Sequence, residues 1–178
     1  MLTVAIIGAG PLGRWLALAS ARAGYRVLLE DVMPANLHHA REALRLELGP
    51  EALPSVAFVS TIEDAVREAD LAIDCVPDEL ESKLEIFCLL DRMAPPRTVL
   101  ATPTTNLSIG DLASCTYRAD KCIAIVARPE ELADLGRTTT EGLPLRITAQ
   151  TTPEALALVT EFWQRIGLTP RVEIESVS

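Results

Sequence analysis

The chain has 178 residues, 49% of them apolar and 23% charged, with a formal net charge of −9. That length accommodates one domain with a real core, and the composition is globular rather than disordered. The acidic balance argues against nucleic acid or an anionic membrane as partner, because both are held by clustered lysine and arginine.

Thr3–Ile7 is a short apolar run ending in glycine, the pattern of a buried parallel strand. Pro11–Ala23 carries apolar residues at helical spacing and stops at Gly24. Arg26–Leu29 reads as a second strand and Asn36–Leu48 as a second helix. Val56–Val59, Leu71–Cys75, Val99–Ala101 and Ile123–Val126 are further short strands. Helical stretches lie between them at Ile62–Ala69, Glu79–Met93 and Ile109–Ala113. Pro129–Pro144, rich in Glu, Thr and Gly, reads as a surface loop. Pro153 opens a last helix through Ile166, and Arg171–Ile174 closes the chain as an extended run. Strands alternating with helices predict an α/β fold, a doubly wound and mostly parallel Rossmann sheet filling residues 1–178 as a single domain.

No apolar stretch is long enough to span a membrane. The segment before Gly10 lacks both a basic leader and a small-residue cleavage site. Cys75, Cys88, Cys115 and Cys122 form no CxxC pair, and no histidine stands at ligand spacing from them. Reduced thiols in a cytoplasmic protein, with no metal site, are the expectation.

Gly8-Ala9-Gly10-Pro11-Leu12-Gly13 matches GxGxxG. The pattern alone is weak, but here a strand precedes it, a helix follows, and an acidic residue ends the next strand. Gly8 permits the tight turn, Gly10 admits the pyrophosphate, and Gly13 lets helix approach strand. Pro11 suits a first helical position but has no N–H, so the Leu12 N–H carries more of the phosphate contact. Asp31 follows Gly13 by eighteen residues. Its carboxylate suits the adenosine ribose hydroxyls and repels a 2′-phosphate. No Arg or Lys occurs in Val32–Asn36, so NAD is expected over NADP. Strand alternation sends the neighbouring Glu30 to the other face.

Beyond this turn, Ala69–Lys83, Phe87–Pro96 and Thr98–Ile109 resemble the N-terminal domain of the 3-hydroxyacyl-CoA dehydrogenases, and Lys121–Pro129 and Thr151–Gly167 do so more loosely. The resemblance implies an NAD-binding domain that is completed, in the family, by a helical domain forming the acyl-CoA site and the dimer. It places Asp78, after Val76 and Pro77, where the family has a glutamate near the nicotinamide ribose. Lys83 falls near the cofactor and the CoA tail, and Thr105 where a serine stands beside the reacting carbonyl. The plainer alternatives are a solvated Asp78–Lys83 pair at a helix start, and a cap or turn hydroxyl for Thr105.

The family's histidine base is missing. Its position falls at Val126, and the asparagine before the family's proline appears as Arg128. The glutamate that orients the histidine corresponds to Arg137 or to Pro144–Arg146 depending on register, with Glu141 nearby. His38 and His39 lie on the second helix, far along the chain. The family's helical excursion that helps hold CoA is cut to Leu48–Ser60, and Ser178 falls about where the helical domain would begin.

Two functions follow from these departures. One is an NAD(H)-binding module impaired or inactive in the hydroxyacyl-CoA reaction. The other is an active oxidoreductase on a small hydroxy or keto substrate, or on acyl-CoA with help from a partner chain, with Thr105 or Lys83 aiding proton transfer. A polar, open cleft favours the second; a cleft filled by Val126 favours the first. A mean hydropathy of +0.24, with apolar stretches at Leu143–Ile147 and Ala155–Trp163, predicts a homodimer with Trp163 as candidate anchor, a helix-core position being the nearly equal alternative for that residue.

Overall fold

The structure, a computed structural model, describes residues 1–128, 131–132 and 142–176. Its sheet comprises β1 (Thr3–Ile7), β2 (Arg26–Glu30), β3 (Val56–Val59), β4 (Leu71–Asp74), β5 (Val99–Pro103), β6 (Cys122–Ile125), β7 (Leu143–Ile147) and β8 (Pro170–Ile174). The eight strands lie in the order β3-β2-β1-β4-β5-β6-β7-β8. The first six are parallel; β7 runs antiparallel to β6, and β8 parallel to β7. Strand order therefore reverses between β1 and β4, and such a sheet opens its binding crevice at the carboxyl ends of those two strands.

β1 is buried at all five positions, as a strand with helices on both faces must be. Alternation along it sends Ile6 and Ile7 into two separate cores. On one face Ile6, Leu29 and Ile73 pack with Leu16 of α1 (Pro11–Arg22), Leu44 of α2 (Pro34–Glu47) and Val159 of α6 (Pro153–Arg165). On the other, Ile7 and Leu28 pack with Val66 of α3 (Ile62–Val66), Phe87 and Leu90 of α4 (Leu80–Met93), and Leu112 of α5 (Ile109–Ser114). Pro11 and Pro34 start α1 and α2 where a missing N–H is harmless, and Thr152 caps α6 by accepting from Ala155 N at 3.3 Å.

Two expectations need correction. Leu143–Ile147, whose first two residues belong to the expected surface loop, is β7. Pro144 disguises it, since proline argues against an interior strand. Leu143, Leu145 and Ile147 are nevertheless buried in alternation, and the Pro144 carbonyl accepts from Val126 N at 2.8 Å. The rest of that loop lies outside the described residues. The second correction concerns Trp163, which is fully buried and meets Phe162 edge-on at 5.0 Å, as core rather than interface. Ala155, Val159 and Phe162 are buried with it, so the dimer argument loses its anchor. Apolar exposure on that side belongs instead to Val172 and Ile174 on the open edge of β8.

A buried arginine closes the end of the sheet opposite the crevice. Arg118 pairs with Asp91 at 2.8 Å, and its other donors reach the carbonyls of Asp91, Ala94, Pro95 and Thr98. These include carbonyls that the end of α4 leaves without intrahelical partners.

Candidate functional site

The glycine turn joins β1 to α1 at the crevice. Gly8 has φ +106°, closed to most side chains, and donates from its N–H to Glu30 O at 2.9 Å. A Cβ on Gly13 would overlap the Gly8 carbonyl oxygen, so helix and strand meet here only through glycine. A Cβ on Gly10 would meet nothing within 4 Å, and that open side is where a bulky anion can approach the backbone. Leu12 and Gly13 sit in the first turn of α1, where N–H groups have no intrahelical acceptor. They face a cleft of about 510 Å³.

Asp31, just past β2, is tied to this turn. Its Oδ2 accepts from Ala9 N at 2.9 Å and from Asn36 Nδ2 at 3.1 Å, and its Oδ1 from Met33 N at 2.8 Å. Glu30 points to the opposite face, as alternation requires. It is buried with Oε1 lacking a partner among the described residues, and burial, aided by the Asp31 charge, pushes its carboxyl up to about 7.

The far wall of the cleft is made by Cys75, Val76, Pro77, Asp78, Thr105, Asn106 and Arg128. Asp78 accepts from the Thr104 hydroxyl at 2.6 Å and from Thr105 N at 3.2 Å, fixing the turn after β5. Thr104 in turn accepts from Leu107 N at 3.1 Å. Thr105 is exposed on the cleft and is not the cap of α5, which is Ser108.

Lys83 makes no solvated pair with Asp78 and is not among the described residues that line the cleft. Its side chain is fully buried, with Nζ 3.2 Å from Asp74 Oδ2 and 2.8 Å from Thr102 Oγ1, while the Thr102 hydroxyl donates to the same carboxylate at 3.2 Å. Asp74 also accepts from Val76 N at 2.8 Å, so the cleft floor hangs on this buried pair. Burial raises the Asp74 carboxyl, opposed by the Lys83 charge. Burial next to Asp74 likewise raises the Cys75 thiol, which keeps it protonated and unreactive.

Val126 is half-buried, bonded through its N–H to β7, and is not part of the cleft lining. Arg128, two residues on, lines it instead. His38 and His39 are exposed on α2, as a helix face. Of the alternatives for the orienting glutamate, Arg137 and Glu141 lie outside the described residues, and Arg146 pairs with Glu173 at 3.6 Å. No group of acidic, cysteine and histidine side chains among the described residues is arranged to hold a metal. Sequence reasoning missed Thr104, Asn106 and Cys75 as site residues and saw Arg128 only as a departure. Their roles depend on how β4, β5 and β6 end side by side.

A family model described as "3-hydroxyacyl-CoA dehydrogenase, NAD binding domain" matches residues 3–126. The chain belongs to this family. It is 29% identical over 135 residues to a probable 3-hydroxybutyryl-CoA dehydrogenase of Bacillus subtilis, covering 68% of this chain and 47% of that protein. It is 28% identical to the 5-formyl-3-hydroxy-2-methylpyridine 4-carboxylate 5-dehydrogenase of Mesorhizobium japonicum, covering 95% of this chain and 56% of that one. The chain thus spans about half the length of these relatives. Among solved structures, a diketoreductase superposes with a TM-score of 0.81 at 27% identity, over 99% of this chain and 65% of its own. The cofactor is NAD, and the residues present fit it: an anion cradle opened by Gly10, free N–H groups at α1, and a carboxylate at the end of β2.

Proposed function

We propose that the whole chain works as one NAD(H)-binding domain impaired in the family's hydroxyacyl-CoA reaction. Gly8–Gly13 hold the pyrophosphate and Asp31 the adenosine ribose; Val76, Pro77, Asp78 and Thr105 frame the nicotinamide end, with Lys83 beneath. NAD when bound supplies a hydride acceptor, and the protein orients it. The observation that carries the reading is the contrast between an intact glycine turn and a cleft whose described lining holds no histidine to act as base. General-base help is commonly worth about 10²- to 10⁴-fold. Titration calorimetry should give binding of NADH tighter than NADPH, and the purified chain should turn over acetoacetyl-CoA with NADH poorly. Equal NADPH affinity, or brisk turnover, would refute the respective half.

A second reading, hydride transfer to or from a small hydroxy or oxo substrate, is favoured by the open cleft, whose lining includes Asp78, Thr105, Asn106 and Arg128. One relative's name specifies a carboxylate substrate. We also propose a cytoplasmic homodimer. Support for the first word comes from the four free thiols, and for the second from Val172 and Ile174 on the open β8 edge. No helix among the described residues is long and apolar enough to cross a membrane. Light scattering decides the oligomer; a 19.2 kDa particle would exclude the dimer.

A further inference from the structure

We infer that Arg128 is a carboxylate anchor, making the small substrate of this cleft a hydroxy or oxo acid rather than an acyl-CoA thioester. The inference rests on the second reading above.

Four observations carry it. Arg128 is the one cation among the described residues that line the cleft. It follows β6 at the carboxyl ends of the parallel strands, and the same lining offers the uncharged polar groups of Thr105 and Asn106. Its guanidinium already holds a carboxylate: Nε lies 3.1 Å from Glu131 Oε1, with the two side chains 62% and 49% exposed. A guanidinium presents five donors in a planar fork, and among the described residues the ion pair engages Nε alone, so the fork's terminal N–H groups suit a second, bidentate carboxylate. Finally, the link from α2 to β3 is short, holding only a single turn of 3₁₀ helix at Leu53–Ser55, and provides no helical arm to grip a long CoA tail.

The remaining negative charge in the lining does not repel such a ligand strongly. Asp78 spends both carboxylate oxygens on Thr104 and Thr105, whose donors offset its charge. Glu131 is an exposed partner three residues from Arg128, and exposed pairs of this kind are worth at most about 1 kcal/mol. An incoming acid can displace it.

The test uses NADH-saturated protein titrated with acetoacetate and with oxalate, followed by NADH fluorescence and calorimetry, with acetone as the uncharged control. Both acids should bind saturably and acetone should not. Arg128→Gln should weaken the acids about 10-fold or more, the scale of a lost charge-assisted bidentate contact, and leave NADH affinity within about 2-fold. Glu131→Gln should tighten the acids by up to about 5-fold, the equivalent of the displaced ion pair. Unchanged acid affinity in Arg128→Gln overturns the inference. So does a parallel fall in NADH affinity, which would assign Arg128 to the dinucleotide phosphates. Because Arg128 is exposed, folding of the variant is checked simply by an unchanged melting curve. Failure of the wild-type chain to bind NADH would refute the cofactor reading itself, whereas NADH binding without acid binding refutes only the role of Arg128.

Discussion

The two walls of the cleft are made of different material. On the cofactor side almost everything is backbone: a glycine with positive φ, a glycine in contact with a carbonyl, and free N–H groups at the start of α1. The opposite wall is made of side chains, and these are held by groups distant in sequence. Asp78 fixes Thr104 and Thr105 across 26 and 27 residues, and Lys83 reaches Thr102 across 19. Backbone sites depend on a few residues that must be glycine. A side-chain wall depends on a buried charge network, and a buried charge is tolerated only while every partner remains.

Breaking the side-chain wall should have the largest effect. Lys83→Met leaves Asp74 buried without its cation, a change that typically costs about 3–5 kcal/mol. Urea unfolding of Lys83→Met, Asp74→Asn and the double variant tests this. The double variant should recover much of the loss, and if it is simply the sum of the two singles the pair is not coupled.

The backbone wall should break almost as badly at one atom. Gly13→Ala puts a methyl group against the Gly8 carbonyl, and strand and helix must part. Overpacking of this kind reaches about 3 kcal/mol, and NADH binding should be lost before the fold is. Wild-type affinity in the alanine variant would show that the turn has more room than its geometry allows.

Behind the cofactor wall, Glu30 adds a pH dependence. Its carboxyl is raised from an ordinary 4.5 to about 7 in the fold. The folded state therefore binds more protons between those values, and stability falls as pH rises through that window. Below 4.5 both states are protonated and the group contributes equally to each; above 7 the whole effect is felt, roughly 3.5 kcal/mol at about 1.4 kcal/mol per pH unit before solvent screening lowers it to about 2–3 kcal/mol. Glu30→Gln should flatten stability between pH 5 and 8, measured by thermal melts. An unaltered pH profile would place the titration elsewhere.

The smallest effect sharpens the comparison rather than breaking it. Asp31→Asn keeps an acceptor for only one of Ala9 and Met33, since its amide nitrogen can only donate, and it removes the charge proposed to face the ribose. The preference for NADH over NADPH should narrow by about 10-fold, the worth of one charge-assisted contact of about 1.4 kcal/mol. A ratio identical to wild type would remove Asp31 from cofactor choice.

Much of this was legible along the chain because it is local. Burial on both faces makes parallel strands continuous apolar runs, prolines and glycines punctuate the helices, and GxGxxG with Asp31 describes a turn whose atoms lie within one βαβ unit. The elements from β1 to β6 and the glycine turn were read this way. Partners brought together only by folding were not. The start of β7, Leu143 and Pro144, reads as the end of a loop, and the whole segment becomes a strand through pairing with β6 and β8. Trp163 looks like an anchor until α6 turns it inward against Phe162. Lys83 reads as a cofactor neighbour or a solvated partner of Asp78, and it is β4 and β5 that bring Asp74 and Thr102 around its ammonium. Local sequence decides which backbone conformations are cheap; which side chains share a buried space is decided by the order in which strands lie in the sheet, and that order is a property of the whole fold.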